Sequence, residues 1–194
     1  MRIFLSVLIL IFSLQSWAKA DDISDFEIEG MSIGDSLLDI FSKAEIDSIE
    51  PTYYPKSKKF HDLPIASSIF KNYDQVTFGL KKNDKKYIIY SLAGNLYFEN
   101  DFKNCIKKKK EILKEISSLF NEQKRSDYKH YYKEIDDGKS FSEITDFKFK
   151  DNSLLRVYCT DWSFETEKKR NFFDMLNIDA SSIEYMTWLD NEAY

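Results

Sequence analysis

The chain predicts an α+β fold, a mainly antiparallel sheet with one long amphipathic helix packed on a face and short N- and C-terminal helices. Three observations carry this. Segments of period-two or β-branched and aromatic character recur downstream of residue 75. Short turn-forming stretches separate them, which favours hairpins over crossover units. A single strong stripe at helical spacing interrupts the strands, over residues 101–120.

Taken in order, Phe26–Glu29 reads as a short strand. Ser32 stands three residues before Asp35, a capping-box spacing, and predicts a helix from there to about Ile46 with Leu37, Leu38, Phe41 and Ala44 on one side. Pro51, Pro55 and Pro64 break any long element in 47–73. Within that region Tyr53, Tyr54 and Phe60 suit a satellite cluster, and Phe60–Ile65 a short strand. Val76, Phe78 and Leu80 alternate with polar or small residues, as a half-buried strand does. Lys82–Lys85 turns the chain, and Tyr87–Leu92 is apolar on both faces, as in a central strand. Gly94-Asn95 reads as a bulge in one strand running through Phe98.

Asn100 or Asp101 then caps the long helix. Its stripe is Phe102, Cys105, Ile106, Ile112, Leu113, Ile116, Leu119 and Phe120. Residues 122–139 are polar, with a turn signal at Asp136-Asp137-Gly138. Phe141–Phe149 and Leu154–Trp162 form a hairpin across Lys150–Ser153. Residues 163–171 are charged and loop-like, and Met175–Ile178 reads as a last strand. Ser181 with Glu184 opens a C-terminal helix carrying Ile183, Met186, Trp188 and Leu189.

The N-terminus predicts the compartment. Met1 and Arg2 precede an apolar run from Ile3 to Leu14, and Ala18-Lys19-Ala20 places small residues at alternate positions. This is the pattern of a signal peptide cleaved after Ala20. The run is about a dozen residues, where a spanning helix needs roughly 20. Asp21 occupies the position where a lipid-anchored protein carries Cys. Cleavage leaves 174 of 194 residues as one α+β domain, 21–194, with no transmembrane segment, in a bacterial periplasm or secreted. The removed segment carries Arg2 and Lys19 and no acid, so formal net charge goes from −5 to −7. That acidity argues against nucleic acid as a partner. Cys105 and Cys159 fall on the apolar faces of the long helix and a strand, and in an oxidising compartment they read as a structural disulfide.

Each candidate site has a plainer alternative. Gly30-Met31-Ser32-Ile33-Gly34 is a literal G-x-S-x-G, with Ser32 as nucleophile and His61 or His130 as base. Too little chain precedes it to build an α/β-hydrolase sheet, and helix capping accounts for Ser32 equally well. Two scattered histidines do not make a zinc site, no calcium-loop pattern occurs, and no cofactor signature is present. Lys107, Lys108 and Lys110 suit an anionic surface, although Glu111 and Glu115 balance much of that charge, and Lys109 falls inside the apolar stripe, where it is expected to snorkel. Trp162 and Trp188 are candidate binding anchors or packing residues.

The segment Ile28–Leu38, with Tyr87-Ile88-Ile89-Tyr90 and Cys159-Thr160-Asp161-Trp162, resembles a group of small exported proteins of AT-rich bacteria. The resemblance implies export and no particular activity. Gly30-Met31-Ser32 followed by Leu37-Leu38 is also similar to the opening segment of outer-membrane assembly lipoproteins of the SmpA/BamE type, over about a dozen residues and without their lipid-attachment Cys. The expected function is a non-catalytic binding or interaction domain of the envelope, with an envelope protein or a small ligand as partner. The alternatives are a secreted hydrolase using Ser32 and an inhibitor of a secreted enzyme.

Overall fold

A computed structural model describes residues 22–136 and 138–194. The signal-peptide expectation, and Asp137 of the expected turn, lie outside the described residues.

The fold is α+β, built on one eight-stranded sheet in the order β1-β2-β3-β4-β8-β7-β6-β5 with every pair antiparallel. The first meander is β1 (Thr52–Tyr53), β2 (Phe60–Ile65), β3 (Gln75–Lys81) and β4 (Ile89–Glu99). The second is β5 (Lys124–Tyr131), β6 (Phe141–Lys148), β7 (Leu154–Asp161) and β8 (Asp174–Ser181). They join at β4 and β8, both of which are therefore internal. The helix between the meanders, α2 (Phe102–Leu119), lies across β7, β8 and β4.

Pairing registers sort the side chains. Val76, Phe78 and Leu80 share one face with Leu92, Leu176, Ile178, Leu155 and Val157, all buried. The α2 residues Cys105, Leu113 and Ile116 close over this face, and Cys105 is bonded to Cys159 of β7 with Cα atoms 6.0 Å apart. Tertiary contact also decides the Gly94 position. No bulge occurs there; register shifts fall instead at Gly79/Leu80 and at Tyr97/Glu99. A Cβ on Gly94 would lie 2.5 Å from the Tyr73 ring, so the glycine makes room for an aromatic side chain on an otherwise regular strand.

Four local expectations are corrected. Phe26–Glu29 is no strand: the chain reverses at Glu29-Gly30, both at positive φ, leaving a single bridge from Ile28 to Met31. No helix runs from Ser32 to Ile46. The Gly34 and Leu37 amides donate to the carbonyls of Ile89 and Tyr87, and that pairing displaces helical bonds. A 3₁₀ turn at Leu37–Asp39 and a short helix, α1 (Lys43–Asp47), form instead, capped by Ser36 and by a Ser42/Glu45 capping box. The polar stretch after α2 contains β5, an edge strand with all eight residues exposed, which hides it from any apolar pattern, followed by a single helical turn, α3 (Lys133–Asp136). Residues 164–170 are helix α4 (Phe164–Arg170), with Ser163 as cap, acids in the first turn, bases in the last and Asn171 in the left-handed conformation at its end.

The last helix, α5 (Ile183–Asn191), is capped by Ser182, one residue later than expected, because Ser181 still belongs to β8. It docks on the opposite sheet face. There Trp188, fully buried, packs with Phe60 and Tyr185, and Tyr54 lies against the group. Gly79 permits this approach, since a Cβ would sit 2.7 Å from Ser91 Cβ and 2.8 Å from the Tyr185 ring.

Candidate functional site

The face under α5 is polar, unlike the face under α2. Alternation places Asp62 on β2, Thr77 and Gly79 on β3, Ser91 and Asn95 on β4, Asn177 and Asp179 on β8 and Arg156 and Tyr158 on β7 on this side. A sheet needs one apolar face for its core, so this second face is available for other chemistry. Near α5 it forms a cleft of about 220 Å³ that includes Asp62, Asn177, Asp179, Tyr158 and Tyr185 in its lining.

At one end of the cleft three side chains form a closed triangle. Tyr54 Oη donates to Asp62 Oδ2 at 2.6 Å, Tyr185 Oη to Asp62 Oδ1 at 2.7 Å, and the two phenol oxygens are 2.9 Å apart. Three such bonds need three protons, and an ionised Asp62 leaves only the two of the phenols. All three contacts become hydrogen bonds when Asp62 keeps its proton and donates it to one phenol, which then donates to the other. Burial pushes the Asp62 carboxyl up in the same direction, opposed by the two hydrogen bonds. Burial and the neighbouring Asp62 also push both phenols up, so they stay protonated.

The cleft floor holds a chain of amides. Asn177 Nδ2 donates to Asn95 Oδ1 at 2.6 Å, and Asn95 Nδ2 donates to Gln75 Oε1 and Thr77 Oγ1. This order fixes the Asn177 amide, because reversing it would set oxygen against oxygen. Asn177 is 7% exposed, and its Oδ1 has no partner. Asp179 accepts at Oδ1 from Ser181 Oγ (2.9 Å) and Ser91 Oγ (3.3 Å), while no hydrogen bond reaches its Oδ2 among the described residues. Burial pushes this carboxyl up, with Ser181 and Arg156 acting against it. Arg156 is itself committed, in a two-point pair with Asp146 at 2.8 and 2.9 Å and a contact to Tyr128 Oη at 3.0 Å. Tyr158 Oη makes no hydrogen bond among the described residues, and burial followed by Asp179 raises its pKa.

Farther along the same face Tyr97 stands opposite Met175, with the Phe173 ring at 6.2 Å from Tyr97. These residues border an apolar groove of about 420 Å³.

The residues singled out from sequence are dispersed. Trp188 is in the core, its indole N–H donating to Ser57 Oγ at 2.8 Å, so it offers no surface anchor. Trp162 is half-buried between Tyr132 and Phe172, with its indole nitrogen sealed and unpartnered. Lys107, Lys108 and Lys110 are exposed on the outer side of α2, and Lys108 pairs with Glu111 at 4.0 Å. Lys109 does not snorkel outward: it is buried, and its Nζ donates to the Glu143 carbonyl at 2.7 Å, with burial lowering its pKa. Ser32 caps nothing. Its Oγ donates to the Phe26 carbonyl at 3.2 Å, a group that cannot take a proton, and neither histidine hydrogen-bonds it.

Among the described residues no cluster suits a metal ion, and no helix is long and apolar enough to cross a membrane. Sequence reasoning missed the cleft because its residues come from β2, β3, β4, β7, β8 and α5, and no spacing along the chain links them. The one legible sign was polar Asn and Asp at alternate positions of Met175–Ser181, inside an otherwise apolar strand. No family model, curated protein or solved structure matches the chain.

Proposed function

We propose that the protein is an exported binding domain that holds a small polar ligand in the cleft between α5 and the open sheet face. The observation that carries this reading is the partly buried polar lining. Asp62, Asn95, Asn177 and Asp179 occupy central sheet positions where apolar residues would cost less to bury, and Asn177 retains an unpaired oxygen. Buried polar groups with unfilled hydrogen-bonding capacity in a concave site are what a specific ligand satisfies. The Cys105–Cys159 bond supports an oxidising destination, as does the cleavable pattern of residues 1–20.

Two measurements test the reading. Protein isolated from its native envelope is expected to begin at Asp21 by intact mass and to resist thiol alkylation until reduced. A panel of small cationic, anionic and neutral polar molecules, screened by two-dimensional amide NMR, is expected to give hits whose shifts centre on Thr77, Asn95, Asn177 and Asp179. Retention of residues 1–20 removes export. Hits confined to other surfaces, or none, remove the cleft as the binding site.

A further inference from the structure

We infer that the ligand of this cleft is an organic ammonium carrying an apolar body, a refinement that rests on the binding role proposed above.

Several donors of the cleft are engaged: Tyr54 and Tyr185 with Asp62, Ser181 with Asp179, Asn95 with Gln75 and Thr77, and Asn177 with Asn95, while among the described residues the Tyr158 hydroxyl is not. Acceptor capacity is in excess, at Asp179 Oδ2 and at the buried Asn177 Oδ1, with the free hydroxyl of Tyr158 beside them. A site with acceptors to spare is complementary to a ligand rich in N–H donors, and three donors on one small centre describe a primary ammonium.

Charge points the same way. Arg156 is balanced by its two-point pair with Asp146, and both oxygens of Asp62 are engaged with Tyr54 and Tyr185. Asp179 has no cation bonded to it among the described residues and, unlike Asp62, keeps one oxygen without a donor. A ligand cation favours its charged form and makes a charge-assisted hydrogen bond to it. The rings of Tyr158 and Tyr185 in the lining add an electron-rich wall suited to an ammonium.

The apolar body follows from register. On β8 the same-face residues after Asp179, going towards the strand's start, are Asn177 and then Met175, opposite Tyr97. At about 3.3 Å per residue, Met175 lies about 13 Å from Asp179. The apolar groove bordered by Tyr97, Phe173 and Met175 is therefore within reach of a chain whose head is bound at Asp179. A hydrophilic amine would leave that groove unused.

The test compares 4-phenylbutylamine with its neutral isostere 4-phenyl-1-butanol and with 1,4-diaminobutane, which lacks the ring, by calorimetry and amide NMR on the mature chain. The expected result is binding of phenylbutylamine with shifts at Asn177, Asp179, Tyr97 and Met175, and at least tenfold weaker binding of the other two. Asp179→Asn is expected to weaken phenylbutylamine at least tenfold. Tyr158→Phe, which keeps the ring and removes only the hydroxyl, should weaken it a few-fold; it also serves as the second variant if Asp179→Asn fails to fold. Equal binding of amine and alcohol, or undiminished amine binding by both variants, overturns the ammonium assignment. Equal binding of diaminobutane and phenylbutylamine overturns the apolar body. Neutral or anionic molecules that bind in the cleft where the amine does not would overturn the ligand class and leave the cleft standing. Silence of the cleft resonances to every probe would overturn both.

Discussion

Tyr185 concentrates two roles at one side chain: its ring packs on Phe60 and Trp188, and its hydroxyl completes the triangle with Tyr54 and Asp62. Tyr185→Phe should keep the packing but leave Asp62 Oδ1 short of a donor, lowering stability by about 1–3 kcal/mol in urea denaturation. Asp62→Asn should cost less, because the amide supplies the third proton that the triangle needs. A second buried carboxyl, Asp174, accepts from the Trp162 amide at 2.9 Å. Burial first, and then nearby Asp161 and Glu167, push it up to about 6 against the hydrogen bond from Trp162. For both carboxyls the folded state binds its proton more tightly than the unfolded chain does. Their contribution is thus fully present below the unfolded value of 3.8 and is lost as pH rises, for Asp174 through about 6. Asp174→Asn is expected to be more stable than the parent at pH 7, by the order of 1 kcal/mol after allowance for solvent screening, and to match it near pH 4. Denaturation midpoints measured across that range check this.

At the scale of elements, caps and charge patterns explain what forms, and pairing explains where expectation failed. The helix α5 begins where the Ser182 hydroxyl accepts from the Tyr185 amide, at 3.3 Å. Ser182→Ala should cost about 1 kcal/mol, and by loosening the first turn it should speed hydrogen exchange at Tyr185 more than at any β8 amide. The amphipathic α2, the 141–161 hairpin and the strand carrying Val76, Phe78 and Leu80 were legible because each buries one face and so imposes its period on the residues. The edge strand β5 buries nothing, and its Lys, Arg and Asp side chains suit an unpaired edge that must resist joining another sheet. The segment at 32–46 satisfied helical spacing locally but was captured by Tyr87 and Ile89, a partner some fifty residues away.

For the whole molecule, the link between α2 and the sheet is covalent as well as apolar. The Cys105–Cys159 bond spans 54 residues and ties the helix that connects the two meanders to the second of them. In the chain-entropy model a loop of that size contributes about 4 kcal/mol. A Cys105→Ser, Cys159→Ser double variant is expected to lose roughly that much in denaturant titration, and reduction of the parent should give the same change while the single variants give no more. The eight-stranded sheet has its strand order decided at one place, the antiparallel union of β4 with β8, which brings together residues about 85 positions apart.

The amino-acid sequence by itself determined the fold class, the long helix, the central hairpins and the pairing of the two cysteines, since those depend on hydrophobic period and on there being two thiols. The tertiary structure alone decided the strand order, the fate of Ser32 and Trp188, and the cleft. Periodicity tells which side chains leave water, but not which strand lies beside which. The hydrogen bonds that join Asp62 to Tyr185, or Asn95 to Asn177, exist only once that order has been set.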